Sequence, residues 1–191
     1  MIRKVAIMIF SGVEILDFAG PYEVFASDRD HFEVFTVAPN SVQVITGTGA
    51  MKVTADYLLD HCPKFDILVI PGGDGTRTLL RNKSVISFII EREKEAEIIL
   101  SVCTGSYVLA RTGLLDGLET TTHHSELDNL EKFASKSKVR RDKRYVDNGK
   151  IICAAGVSSG IDASLYVIER LHGKERADRI ADYIEHIRRD S

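Results

Sequence analysis

The chain has 191 residues, 44% hydrophobic and 28% charged, with a formal charge of −3. That length suits one domain over residues 1–191, and the apolar share excludes disordered and low-complexity classes. Balanced charge gives no general reason to expect nucleic acid or an anionic membrane, and the early apolar run Val5–Phe10 falls far short of the about 20 residues of a membrane helix. In chain order, Lys4–Phe10 reads as a strand buried on both faces, and Leu16–Ser27 carries apolar residues at helical spacing. Pro21 fits only in or near the first turn of that helix, which leaves its start open. Phe32–Ala38 is a second strand, and Val42–Val53 a short hairpin broken by Gly47 and Gly49. Phe65–Ile70 is a buried strand closed by Pro71-Gly72-Gly73, followed by a helix over Ser84–Glu95. Ile98–Val102 is the next strand and runs at once into Cys103-Thr104-Gly105 and a helix through Arg111. Leu118–Thr122 and Tyr145–Ala155 read as further strands, the latter turning at Asp147-Asn148-Gly149, and two helices broken near Gly173 fill Ile161–Arg188. Strands alternating with helices predict an α/β fold: a three-layer sandwich with a mostly parallel central sheet.

The three cysteines, Cys62, Cys103 and Cys153, contain no C-x-x-C pair, which fits reduced cytoplasmic thiols better than a disulfide framework or a zinc ribbon. Ser101-Val102-Cys103-Thr104-Gly105 is the most informative stretch. A strand that delivers a nucleophile straight into a helix must turn so sharply that small residues are needed two positions either side. Ser101 and Gly105 occupy those positions. The following helix aims its N-terminal amides at the sulfur, favouring thiolate, and the Thr104 N–H is placed to stabilise an oxyanion. The plainer reading makes Cys103 a small buried hydrophobe, as Cys62 and Cys153 are expected to be. Gly72 and Gly73 end the neighbouring strand, so their backbone should share the crevice with Cys103, contact substrate and supply a second oxyanion donor. Asp17 lies just beyond the first strand. Flanked by Leu16 and Phe18, it is either a desolvated acid able to donate a proton or a carboxylate stabilised by the helix dipole.

These residues, with Leu16-Asp17-Phe18-Ala19-Gly20-Pro21, Ile70-Pro71-Gly72-Gly73, Thr120-Thr121-Thr122-His123 and Gly156–Asp162, resemble the ThiJ/PfpI superfamily along nearly the whole chain. That resemblance implies a flavodoxin-like fold similar to class I glutamine amidotransferase domains, with the isonitrile hydratase branch the nearest in motif. It implies Cys103 as nucleophile and Asp17 as its general acid or base, where many members carry glutamate. Thr104 stands where amidases and proteases of the superfamily typically carry histidine, which weakens a protease reading. Glu131–Asp147 contains no histidine to act as base, and His123 and His124 are expected to be surface or capping residues. No cofactor and no metal is expected, because no cluster has ligand spacing. The seven basic residues of Lys132–Arg144 read as a solvated face, and the helix-turn-helix module of regulator relatives is not expected. The resemblance further implies a homodimer acting on a small-molecule substrate. The expected activity is hydration of an isonitrile to an N-substituted formamide through a Cys103 thioimidate. The alternatives are glyoxalase, deglycase or amidase/peptidase chemistry on the same thiol, or a non-catalytic cysteine redox or ligand sensor.

Overall fold

The structure, a computed structural model, describes residues 1–189. Its centre is a seven-stranded sheet in the order β10-β11-β7-β6-β1-β2-β5. The strands are β1 (Arg3–Met8), β2 (Phe32–Ala38), β5 (Tyr57–Leu58), β6 (Ile67–Ile70), β7 (Ile98–Val102), β10 (Tyr145–Asp147) and β11 (Ile151–Ala154). Within this sheet only the β10–β11 pair is antiparallel. Parallel pairing needs crossovers, and crossover helices cover both faces; the strands therefore carry no polar face. Every residue of Ile67–Ile70 and Ile98–Val102 is buried accordingly.

Helices α1 (Ile15–Ala26) and α6 (Ser159–His172) pack on one another, α1 against β1, β2 and β6, and α6 against β7 and β11. α3 (Lys83–Glu93) packs on α4 (Gly105–Thr112), and α4 lies against β6 and β7. α3 begins where Asn82 caps it, its side-chain oxygen accepting from the Ser84 and Val85 amides. α7 (Lys174–Tyr183) follows the break at Gly173, whose φ is +88°. The expected α/β sandwich with a mostly parallel sheet is thus the fold observed.

Several local expectations are corrected. Pro21 lies well inside α1, which starts at Ile15. Proline there forgoes a bond to the Asp17 carbonyl, and its buried ring packs near Gly160 of α6. The predicted Leu118–Thr122 strand is only β8 (Glu119–Thr120), paired with β9 (Lys138–Val139) outside the main sheet. The hairpin reduces to β3 (Gln43–Ile45) and β4 (Lys52–Thr54). The short helices α2 (Thr76–Leu79) and α5 (Leu127–Phe133) have no counterpart in the sequence reading. In the basic run, Lys136 pairs with Asp116, Lys138 and Arg140 with Glu119, Arg141 with Asp128 and Glu131, and Arg144 with Asp162. Acids of the chain itself thus answer most of its charge. Among the described residues no helix is long and apolar enough to cross a membrane.

Candidate active site

Beyond the carboxyl ends of β1, β6, β7 and β11 the chain forms four adjoining loops, and ligands of open α/β sheets bind at this edge. The loops are stitched by backbone bonds. Glu14 N–H donates to the Gly72 carbonyl at 2.9 Å, Gly75 N–H to that of Gly12 at 3.0 Å, and Cys103 N–H to that of Ala155 at 2.7 Å. Cys103 itself has φ +55°, the left-handed region that side chains rarely adopt. This is the sharp strand-to-helix turn expected of the sequence. Its carbonyl is held by the hydroxyls of Thr122 (2.8 Å) and Ser106 (3.1 Å), both buried. Gly105 must be glycine here: a Cβ would collide with the Ile70 carbonyl oxygen.

Asp17 is 0% exposed on the first turn of α1. Its Oδ2 accepts the Gly72 N–H at 2.9 Å, and its Oδ1 is buried without a conventional hydrogen-bond partner. Cys103 lies close enough for thiol and carboxyl to interact. Burial pushes the Asp17 carboxyl up to about 7; the Gly72 amide opposes that shift and the Glu14 charge adds to it. Asp17 thus meets the geometric premise of both readings, a desolvated acid that also sits in the first turn of α1.

The thiol departs from expectation. Burial, and then the Asp17 charge, push Cys103 up to about 12, although the Thr104 and Val157 amides donate to its sulfur and oppose the rise. A helix N-terminus favours thiolate, but here desolvation and a neighbouring acid outweigh it. Cys62 is likewise raised by burial, to about 11, and Cys153 is raised inside the core.

The glycine loop also acts differently from the expected second oxyanion donor. The Gly72 amide is committed to Asp17, and the Gly73 amide to Thr104 Oγ1 at 2.9 Å. A Cβ at Gly72 would stand 2.5 Å from the Thr104 nitrogen and hydroxyl oxygen. Gly72 therefore lets Asp17 and the elbow approach each other, and Gly73 anchors Thr104, whose hydroxyl also meets that of Thr76 at 3.0 Å. The second amide at the sulfur belongs to Val157, at φ +41°, in the loop after β11. Sequence reasoning missed it. The small-residue run Gly156–Gly160 was its only trace, and nothing there points to a particular amide.

Cys103 is 7% exposed, and its exposure is onto a cleft of about 600 Å³ whose walls include Thr104, Val157, Tyr107 and His123. Asp17 lies behind the cysteine and does not line the cleft. His123 is a cap, as expected: its Nδ1 accepts the Ser125 N–H at 3.3 Å and lies 2.8 Å from the Ser125 hydroxyl. Its ring nevertheless reaches the cleft wall, where burial and the adjacent His124 lower its pKa. His124 does not line this cleft. Among the described residues no cluster of three or more His, Cys, Asp or Glu is placed to hold a metal ion.

An α/β sandwich with a strained cysteine elbow and a buried acid behind the sulfur defines a recognisable class. The chain belongs to the DJ-1/PfpI family, whose model matches residues 3–170. Isonitrile hydratase of Pseudomonas putida is 33% identical over 190 residues, which are 97% of this chain and 79% of that protein. The HTH-type transcriptional regulator GbdR of Pseudomonas aeruginosa is 27% identical over 156 residues, covering 82% of this chain and 42% of the regulator. The crystal structure of a ThiJ/PfpI family protein from Pseudomonas syringae superposes with a TM-score of 0.87 at 27% identity, over 97% of this chain and 75% of that one.

Proposed function

We propose that this protein hydrates isonitriles to N-substituted formamides at Cys103. The observation that carries the reading is a cleft-facing thiol backed by a fully buried carboxyl that ionises near neutral pH. The likeness to isonitrile hydratase over nearly the whole chain supports the choice of substrate. A general base is most useful when its pKa lies near the working pH. Ionised Asp17 takes the proton of the Cys103 thiol as the sulfur attacks the terminal carbon of R–N≡C. The proton returns to that same carbon, giving the thioimidate R–N=CH–S–Cys103. Water adds to the C=N carbon, the nitrogen gains a proton, and the C–S bond breaks to release R–NH–CHO and the thiol.

The other residues have supporting roles. The Thr104 and Val157 amides stabilise negative charge developing on sulfur. The Thr104 hydroxyl, fixed by Gly73 and Thr76, keeps the first turn of α4 in place. Gly72 and Gly73 serve by positioning Asp17 and Thr104. A redox-sensor reading is less favoured, because such sensors work through a solvent-accessible sulfur, and Cys103 is almost wholly buried.

The test is incubation with an aryl isonitrile and quantification of the formamide. Activity should rise with pH through about 7, as Asp17 ionises to become the base. Cys103→Ala should abolish turnover, and Asp17→Asn should reduce it by about 10²–10⁴-fold. Absence of formamide at every pH between about 5 and 9 would rule the reading out.

A further inference from the structure

The walls of the cleft are unevenly charged. Three carboxylates, Glu14, Asp74 and Glu126, line it against a single guanidinium, Arg77. Among the described residues none of the three acids forms an ion pair. Two are held in place by neutral donors: Glu126 Oε2 accepts the Tyr107 hydroxyl at 3.0 Å, and Glu14 Oε2 accepts the Thr48 hydroxyl at 2.7 Å. Neither donor offsets a charge. His123, the remaining titratable group besides Tyr107 and Cys103, is kept toward its neutral form. A concave wall of one sign with low-dielectric backing focuses the field and raises the local concentration of opposite charge.

The same cleft has an apolar end. Leu80, Tyr107 and Phe133 line it, Phe133 is 45% exposed, and the Tyr107 and Phe133 rings lie 5.3 Å apart between centroids. An exposed phenylalanine beside a second ring offers a seat for an apolar or aromatic group. Basic residues line a separate cavity beyond His123, but Arg141 and Arg144 there are already engaged by Asp128 and Asp162.

We propose that the cleft selects by charge: neutral or cationic molecules carrying an apolar or aromatic group reach Cys103, and anionic ones are turned away. This rests on the reading of Cys103 as the reacting atom and adds the class of substrate. The experiment therefore has one arm that needs no isonitrile chemistry. Cys103 is labelled with 2-(trimethylammonium)ethyl methanethiosulfonate and with its 2-sulfonatoethyl counterpart, and the mixed disulfide is followed by mass spectrometry. The sulfur attacks the sulfenyl sulfur, an S–S bond forms and methanesulfinate leaves. Each rate is normalised to that of free 2-mercaptoethanol, and Cys103→Ala locates the label.

The cationic reagent should be favoured about tenfold or more at low ionic strength. The preference should collapse at about 1 M salt, where the screening length is about 3 Å. Asp74→Asn and Glu126→Gln should each narrow it, and Arg77→Gln should widen it. A normalised ratio at or below one overturns the proposal. So does a ratio indifferent to all three substitutions, or failure of both reagents to label Cys103. The second arm compares aryl isonitriles bearing para carboxylate, trimethylammonium or no charge. Equal turnover of the carboxylate overturns charge selection while leaving the hydratase reading intact. If none is hydrated, the hydratase reading fails and the labelling ratio still decides the charge proposal.

Discussion

Replacing Asp17 by Asn separates the buried acid's cost to the fold from its use in chemistry. In the unfolded chain an aspartate ionises at about 3.9, whereas in the fold Asp17 ionises at about 7. Below about pH 4 both states hold the proton and stability is unaffected. Between about 4 and 7 the unfolded chain loses it while the fold keeps it. The folded state then binds more protons, so stability falls as pH rises. Above about 7 both are ionised and the loss levels off. At about 1.4 kcal/mol per pH unit the full loss is about 4 kcal/mol. Asparagine does not titrate, its oxygen can accept the Gly72 amide as Oδ2 does, and its amide can face the sulfur. The stability of Asp17→Asn relative to the natural chain should therefore climb by about 4 kcal/mol between pH 4 and 8. Urea melts of both proteins at half-unit pH intervals measure this. A flat difference would refute the argument that desolvation holds Asp17 protonated.

Three other substitutions test the elbow. Gly105→Ala should cost about 3 kcal/mol or more, because the added methyl meets the backbone of Ile70 and not a side chain that could yield; soluble yield and melting temperature read it. Cys103→Gly should be at least as stable as Cys103→Ala, by up to about 1 kcal/mol, since glycine relieves the positive φ; denaturation of the pair decides whether the turn is strained. Thr104→Val removes the acceptor of the Gly73 amide and should cost about 1–2 kcal/mol; calorimetry showing no loss would mean water replaces the hydroxyl without penalty.

The sequence carried the architecture because parallel strands buried on both faces are almost wholly apolar, and Ile67–Ile70 and Ile98–Val102 read that way without any partner being known. It carried the elbow too, since small residues around Cys103 are a local steric demand, which the clash at Gly105 repeats in space. Pro21 misled because its penalty is local, whereas the buried packing of α1 on the sheet and α6 that accepts it is not. α5 was hidden because Leu130 is its one buried residue, which leaves no apolar stripe for the sequence to show.

The charge states were decided only by tertiary structure. Whether Cys103 is thiol or thiolate depends on competition between two amides, burial and a carboxyl brought from another loop, and those groups lie far apart in the chain. The assignment of the Gly72 and Gly73 amides to Asp17 and Thr104, the Val157 amide at the sulfur, and the acidic wall of the cleft have the same origin. Spacing along a chain fixes which residue types can turn, cap or pack. Desolvation and Coulomb energy depend on distances through space, and these exist only once the loops have met.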